Sequence, residues 1–174
     1  MQEFLVQAIG VIGFIFTVVS YQCKSTKLCF VIQAFAGLSF ALHYMLLGIV
    51  TASLLNSLNI LRGVLLVLVK SEKNKNIVAV VIFILYLAAG ILTYGGIASV
   101  MATFAQLVGT VTMSTRNGKI YRLGTLLCVS PIWLVHNVMC DSLGGVITEI
   151  FTVVSILVFI TRFGWKKFFT VKSI

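Results

Sequence analysis

Long apolar runs, broken only by short loops, limit this chain to a membrane fold. Residues 79–89 are apolar or aromatic without interruption, and comparable runs recur along the sequence. Of the 174 residues, 60% are hydrophobic and only 10% are charged, against about 25% charged in a typical soluble domain. A water-soluble body of this length cannot hide so much apolar side chain, because its surface is large relative to its volume. Lipid removes that constraint. A membrane barrel is excluded by pattern: barrel strands alternate apolar and polar residues, whereas these runs are continuous. A span without water must satisfy its own backbone hydrogen bonds, which makes each run a helix.

A helix crosses a hydrocarbon layer of about 30 Å with roughly 20 apolar residues. The pattern predicts seven spans, over residues 4–20, 28–47, 50–69, 77–95, 97–114, 122–141 and 144–163. The first is not a cleavable leader by pattern: Glu3 flanks it, no basic segment precedes it, and more spans follow.

The charges then set a direction. The net charge of +9 is not spread as a nucleic-acid-binding surface. It is gathered in clusters that alternate with tight, non-basic turns. Lys24 and Lys27 follow the first span, and Lys70, Lys73 and Lys75 the third. Arg116, Lys119 and Arg122 follow the fifth, and Arg162, Lys166, Lys167 and Lys172 end the chain. With seven spans, all four clusters fall on one side. The other side carries Glu3 and Asp141 and turns near Gly48, Gly95–Gly96 and Gly144. By the positive-inside rule the N-terminus lies outside the cytoplasm and the C-terminus inside. Trp165 is expected as an anchor at the cytoplasmic interface. Cys23, Cys29, Cys128 and Cys140 have no metal-site spacing, and neither a metal site nor a cofactor is expected.

The two halves repeat weakly. LHYMLLGIVTASLLNSLN from Leu42 aligns with VHNVMCDSLGGVITEIFT from Val135, pairing His43 with His136, Asn56 with Glu149 and Asn59 with Thr152. The expected plan is 3+1+3. Residues 1–72 form one triple-helix bundle, 73–96 a linker helix, and 97–174 a second bundle with a basic tail. Such parallel repeats, related by an axis along the membrane normal, are a transporter solution.

Ionisable and amide groups inside spans mark candidate sites, because they are expensive in hydrocarbon. His43 and Asn56 flank one outer turn at similar depth, about 10 Å in, and His136 and Glu149 flank the equivalent turn. Glu149 either holds a proton, pairs with His136 or meets a polar ligand. The plain alternative is hydrogen-bonded glue between helices. Asn56, Asn59 and Arg62 follow each other every three residues, with Thr152 in the matching stripe of the last span. Arg62 either snorkels to the cytoplasmic surface or attracts an anion. Trp133 and Asn137, four apart, share a face and offer an aromatic wall and an amide. Pro131 frees the carbonyl near position 127 and marks a kink or hinge. Gly10, Gly13, Gly37 and Gly109 read as helix-contact residues.

SYQCKSTKL at 20–28 and LHYMLLGIVTASLLNSLNILRG at 42–63 resemble the YgjV-type family of bacterial inner-membrane proteins. That resemblance implies a relation to the sugar SWEET, PQ-loop and PnuC transporter group. It implies a seven-helix body of two triple-helix bundles and passage of a small solute between them. The proline–glutamine pair of PQ-loop members is absent, so gating by matched prolines is not expected. Localisation in the bacterial inner membrane follows from the resemblance, and homo-oligomerisation stays open.

No nucleophile elbow, phosphate loop, dinucleotide loop or zinc spacing occurs, so an enzyme is not expected. The reading is facilitated, alternating-access transport of a small polar or anionic metabolite. The alternative is a receptor, scaffold or partner subunit in which the same polar groups are fully paired and enclose no cavity.

Overall fold

The computed structural model describes residues 2–140 and 142–163, and every regular element among them is helical. Asp141, Trp165 and the basic tail at 166, 167 and 172 lie outside the described residues. Eight α-helices follow in order: α1 Gln2–Gln22, α2 Thr26–Leu46, α3 Val50–Leu68, α4 Glu72–Leu92, α5 Ile97–Ser114, α6 Gly118–Gly124, α7 Ser130–Met139 and α8 Leu143–Phe163. A π-helical turn, Thr125–Val129, joins α6 to α7, so the backbone is helical without a break from 118 to 139. Six helices (α1–α5 and α8) are long and apolar enough to cross a membrane. Their boundaries fall within a few residues of the expected spans.

The turns have local causes. Ser25 caps α2 by accepting from the Leu28 amide at 3.4 Å, and Asn117 caps α6 by accepting from the Lys119 amide at 3.0 Å. The α2–α3 connection turns at Gly48, whose φ of +76° suits a residue without Cβ. Gly96, at φ +106°, does the same before α5. The π turn lies just ahead of Pro131, whose ring cannot sit against a regular preceding turn. The expected kink near 127 is therefore a wide turn centred on that position.

The helices form a closed ring. In the first half α2 packs between α1 and α3; in the second, α7 packs between α5 and α8. Two seams join the halves, α3 against α5 and α1 against α8. Helix α4 sits outside, against α3 and α5. Close approach of α2 and α3 is permitted by Gly37 and Gly63, where an added Cβ would lie 3.2 Å from the Asn56 carbonyl oxygen and 3.1 Å from that of Phe30. Large apolar side chains such as Leu68, Ile91 and Leu127 point outward and exposed, as lipid contact requires, and most buried polar residues point inward. Thr51 Oγ1 donates to the Thr93 carbonyl at 2.7 Å, which brings the α2–α3 and α4–α5 turns to one end. At the other end Arg116 donates to Asn76 Oδ1 at 2.9 Å, and Arg122 reaches the α1–α2 loop.

Arg122 corrects one expectation. It reads as a loop charge, yet it is buried. Its Nε donates to the Tyr21 carbonyl (3.2 Å), Nη1 to that of Gly118 (3.0 Å) and Nη2 to that of Cys23 (2.5 Å). The guanidinium lies 4.0 Å above the Phe159 ring centroid. One side chain thus ties the end of α1, the start of α6 and the end of α8.

Candidate functional site

Between the helices lies a cavity of about 100 Å³ with polar and apolar residues in its wall. Its wall draws on both halves. Asn56, Asn59 and Arg62 of α3 face it, as do Gln106 and Gly109 of α5. Ser130, Trp133 and Asn137 of α7 and Thr148, Glu149 and Thr152 of α8 complete the second side. Seven of the nine candidate residues therefore meet in one place; the two histidines do not line it.

Arg62 does not snorkel. It is 7% exposed, and its Nη2 donates to Asn59 Oδ1 at 2.5 Å, with Nη1 donating to Thr110 Oγ1 at 2.9 Å. A further contact to the Gln106 carbonyl is long, 3.4 Å. Space for the guanidinium comes from Gly109: a Cβ there would lie 3.4 Å from Nη1. Tyr86 of the outer helix α4 donates to the same Asn59 oxygen at 2.7 Å, and its ring lies 5.4 Å from the guanidinium carbon. Asn59 Nδ2 in turn donates to Asn56 Oδ1 at 3.3 Å. Two buried polar atoms have no hydrogen-bond partner here: Arg62 Nε and Thr152 Oγ1. Such orphans are rare in a folded interior, and both belong to cavity-lining residues.

Glu149 is not paired with His136. Its carboxylate accepts a short hydrogen bond from the Ser130 hydroxyl. His136 instead has Nδ1 3.4 Å from Asn137 Oδ1, Nε2 3.7 Å from Cys140 Sγ, and its ring edge-on to Trp133. His43 turns to α1, where Nδ1 contacts the Val6 carbonyl oxygen at 2.9 Å and the ring fills the space left by Gly10. His43 thus joins α2 to α1, whereas the partners of His136 lie within α7 or one residue past its end. Equal depth did not mean equal facing, because successive helical positions are rotated by about 100°.

Two aromatic stacks form part of the cavity wall. Toward the glycine-turn end, Tyr44 of α2 stacks on Trp133 of α7 at 6.5 Å and 19°. The Tyr44 hydroxyl donates to Asn137 Oδ1 at 3.3 Å. Toward the basic end, Tyr21 of α1 stacks on Tyr121 of α6 at 5.8 Å and 20°, their hydroxyls 3.3 Å apart. Phe30 packs edge-on against Tyr121. Each stack joins one half to the other.

Ser130, Gln106, Tyr44, Tyr21 and Tyr121 were not singled out by sequence. A signal for two of them existed in the repeat. Tyr44 and Asn137 stand 93 positions apart, the spacing of Asn56 to Glu149 and Asn59 to Thr152. Ala36 to Val129, Gly37 to Ser130 and Phe40 to Trp133 share it, and all twelve residues line the cavity.

These features define a class: a multi-pass, all-helical membrane protein with a partly polar cavity inside its apolar body. The family model Imp-YgjV, described as a bacterial inner membrane protein, matches residues 4–167. The chain belongs to that family and is a protein of the bacterial inner membrane. No curated protein and no solved structure matches it.

Proposed function

We propose that this protein is a transporter that carries a small polar or anionic solute by alternating access through the central cavity. The observation that carries the reading is a central cavity to which both halves contribute polar side chains, beside which two buried polar atoms, Arg62 Nε and Thr152 Oγ1, lack a hydrogen-bond partner. A receptor or scaffold that used these residues as glue would satisfy them fully. The Tyr44–Trp133 and Tyr21–Tyr121 stacks suit the two gates that alternating access needs.

A 3+1+3 architecture underlies the mechanism. Its support is the constant 93-residue spacing between wall residues, the two equivalent seams, and α4 lying outside the ring. The stretch 118–139, about 30 Å at 1.5 Å per residue, serves as the seventh span, its π turn supplying a hinge. Seven spans put the basic loops on the cytoplasmic side, with the N-terminus outside and the C-terminus inside. The same plan suits kinship with the SWEET, PQ-loop and PnuC group, at the level of architecture rather than substrate.

Flux measurement tests this reading. Purified protein in liposomes is expected to admit radiolabelled glycolate, glycine or glycerol (anionic, zwitterionic and neutral probes) faster than protein-free vesicles. Asn56→Ala and Glu149→Gln should reduce that flux without loss of folded protein. Flux equal to protein-free vesicles for every probe would remove the transport reading.

A further inference from the structure

The cavity wall carries two ionisable groups, Arg62 and Glu149, that are not paired with each other. Arg62 stands on the α3–α5 side, and Glu149 lies between α7 and α8. Among the described residues no ion pair joins them. The guanidinium is held by neutral oxygens of Asn59 and Thr110, and the carboxylate by the neutral Ser130 hydroxyl. Both groups border the same space. The Cβ position of Gly109 lies 3.4 Å from Arg62 Nη1 and 3.9 Å from Val129 Cγ2, and Val129 adjoins Ser130, the partner of Glu149.

Charge in a low-dielectric interior normally has a counter-charge. A ligand can supply it. A simple anion answers Arg62 but meets the carboxylate. A simple cation does the reverse, and a neutral polyol answers neither. A zwitterion answers both at once. The guanidinium of Arg62, a cavity-lining group, suits a carboxylate, which accepts from its fork. Resting on the transport reading, we infer that the solute is a small zwitterion, its carboxylate at Arg62 and its ammonium at Glu149.

Isosteric ligands provide the test. Glycine and glycolate differ only in bearing an ammonium or a hydroxyl. On purified full-length protein in detergent, glycine should raise the unfolding temperature and bind at least tenfold more tightly than glycolate, acetate or methylamine by calorimetry. Glu149→Gln should remove the carboxylate that discriminates them and bring the glycine-to-glycolate ratio to one or below. Arg62→Gln should abolish binding of both. A merely structural Glu149 would lower stability but leave the ratio unchanged. Equal or tighter binding of glycolate or acetate by the unaltered protein, or no binding of any of these probes, overturns the inference. Since the ligand panel is read on the unaltered protein, the result stands even if a variant fails to fold. Glycine binding without glycine flux into liposomes would sink the transport reading while leaving the zwitterion site intact. Flux of glycerol alone would do the opposite.

Discussion

Replacing Arg122 by alanine should destabilise the bundle more than any surface substitution. The wild-type guanidinium donates to three backbone carbonyls, at Tyr21, Gly118 and Cys23, and covers the Phe159 ring. A hydrogen bond to a charged group contributes about 1.5–3 kcal/mol. Two of these carbonyls end α1 and accept water once the side chain is gone, which keeps them at the lower end. The cation–π contact adds roughly 0.5–2 kcal/mol. At these lower ends the three bonds and the ring contact sum to about 5 kcal/mol, the upper end of the range found when buried charged contacts are broken. For a chain of this length each kcal/mol lowers Tm by about 2–4 °C, so the drop should be on the order of 10 °C. Tryptophan fluorescence during heating in detergent measures it, with exposed Lys27→Ala as the control, expected within about 0.5 kcal/mol of wild type. Arg122→Lys keeps the charge but loses the fork and should fall between the two. A Tm for Arg122→Ala indistinguishable from that of Lys27→Ala would refute the stapling role.

Other substitutions probe the wall. Gly145→Ala places a Cβ against the Asn137 side chain and should destabilise by about 1–3 kcal/mol through overpacking, read by thermal unfolding. Tyr86→Phe removes a 2.7 Å bond to Asn59 and should lower stability by about 1 kcal/mol; an unchanged Tm would mean that α4 does not brace Arg62. Pro131→Ala restores an amide next to the π turn and should slow solute flux, if that turn is the hinge, while raising the unfolding temperature. Faster or unaltered flux would count against the hinge.

Much of this fold is written in hydrophobic length. The spans of α1, α2, α3, α5 and α8 were legible because lipid imposes one criterion on every residue: a continuous apolar run long enough to cross. The run at 122–141 reads in sequence as a seventh span, whereas the structure has three consecutive helical stretches there and six other helices long and apolar enough to cross; a π turn is a backbone response to Pro131 and its packing. The candidate site was partly legible. Arg62, Asn56, Asn59, Glu149 and Thr152 stand out as polar groups in apolar runs, and all five line the cavity. His43 and His136 stand out equally, yet neither lines the cavity: His43 turns to α1, and the partners of His136 lie along its own helix. Depth can be counted along a helix; azimuth depends on which neighbour makes room. Gly10 makes that room for His43, and Tyr44, one residue on, faces the centre instead. Gly109 is the converse case. Expected as a helix contact, it clears space for Arg62, a role set by a side chain 47 positions earlier.

Alternating exposure of the cavity is the central claim, and site-directed labelling measures it. In a chain with its four cysteines replaced, Thr152→Cys puts one thiol on the cavity wall. A membrane-impermeant thiol reagent is then applied separately to right-side-out and inside-out vesicles. The account predicts labelling from both sides. Tyr44→Ala should speed reaction from the outer face and Tyr21→Ala from the cytoplasmic face, each severalfold. Reaction from one face only, or from neither even with both stacks truncated, would contradict it.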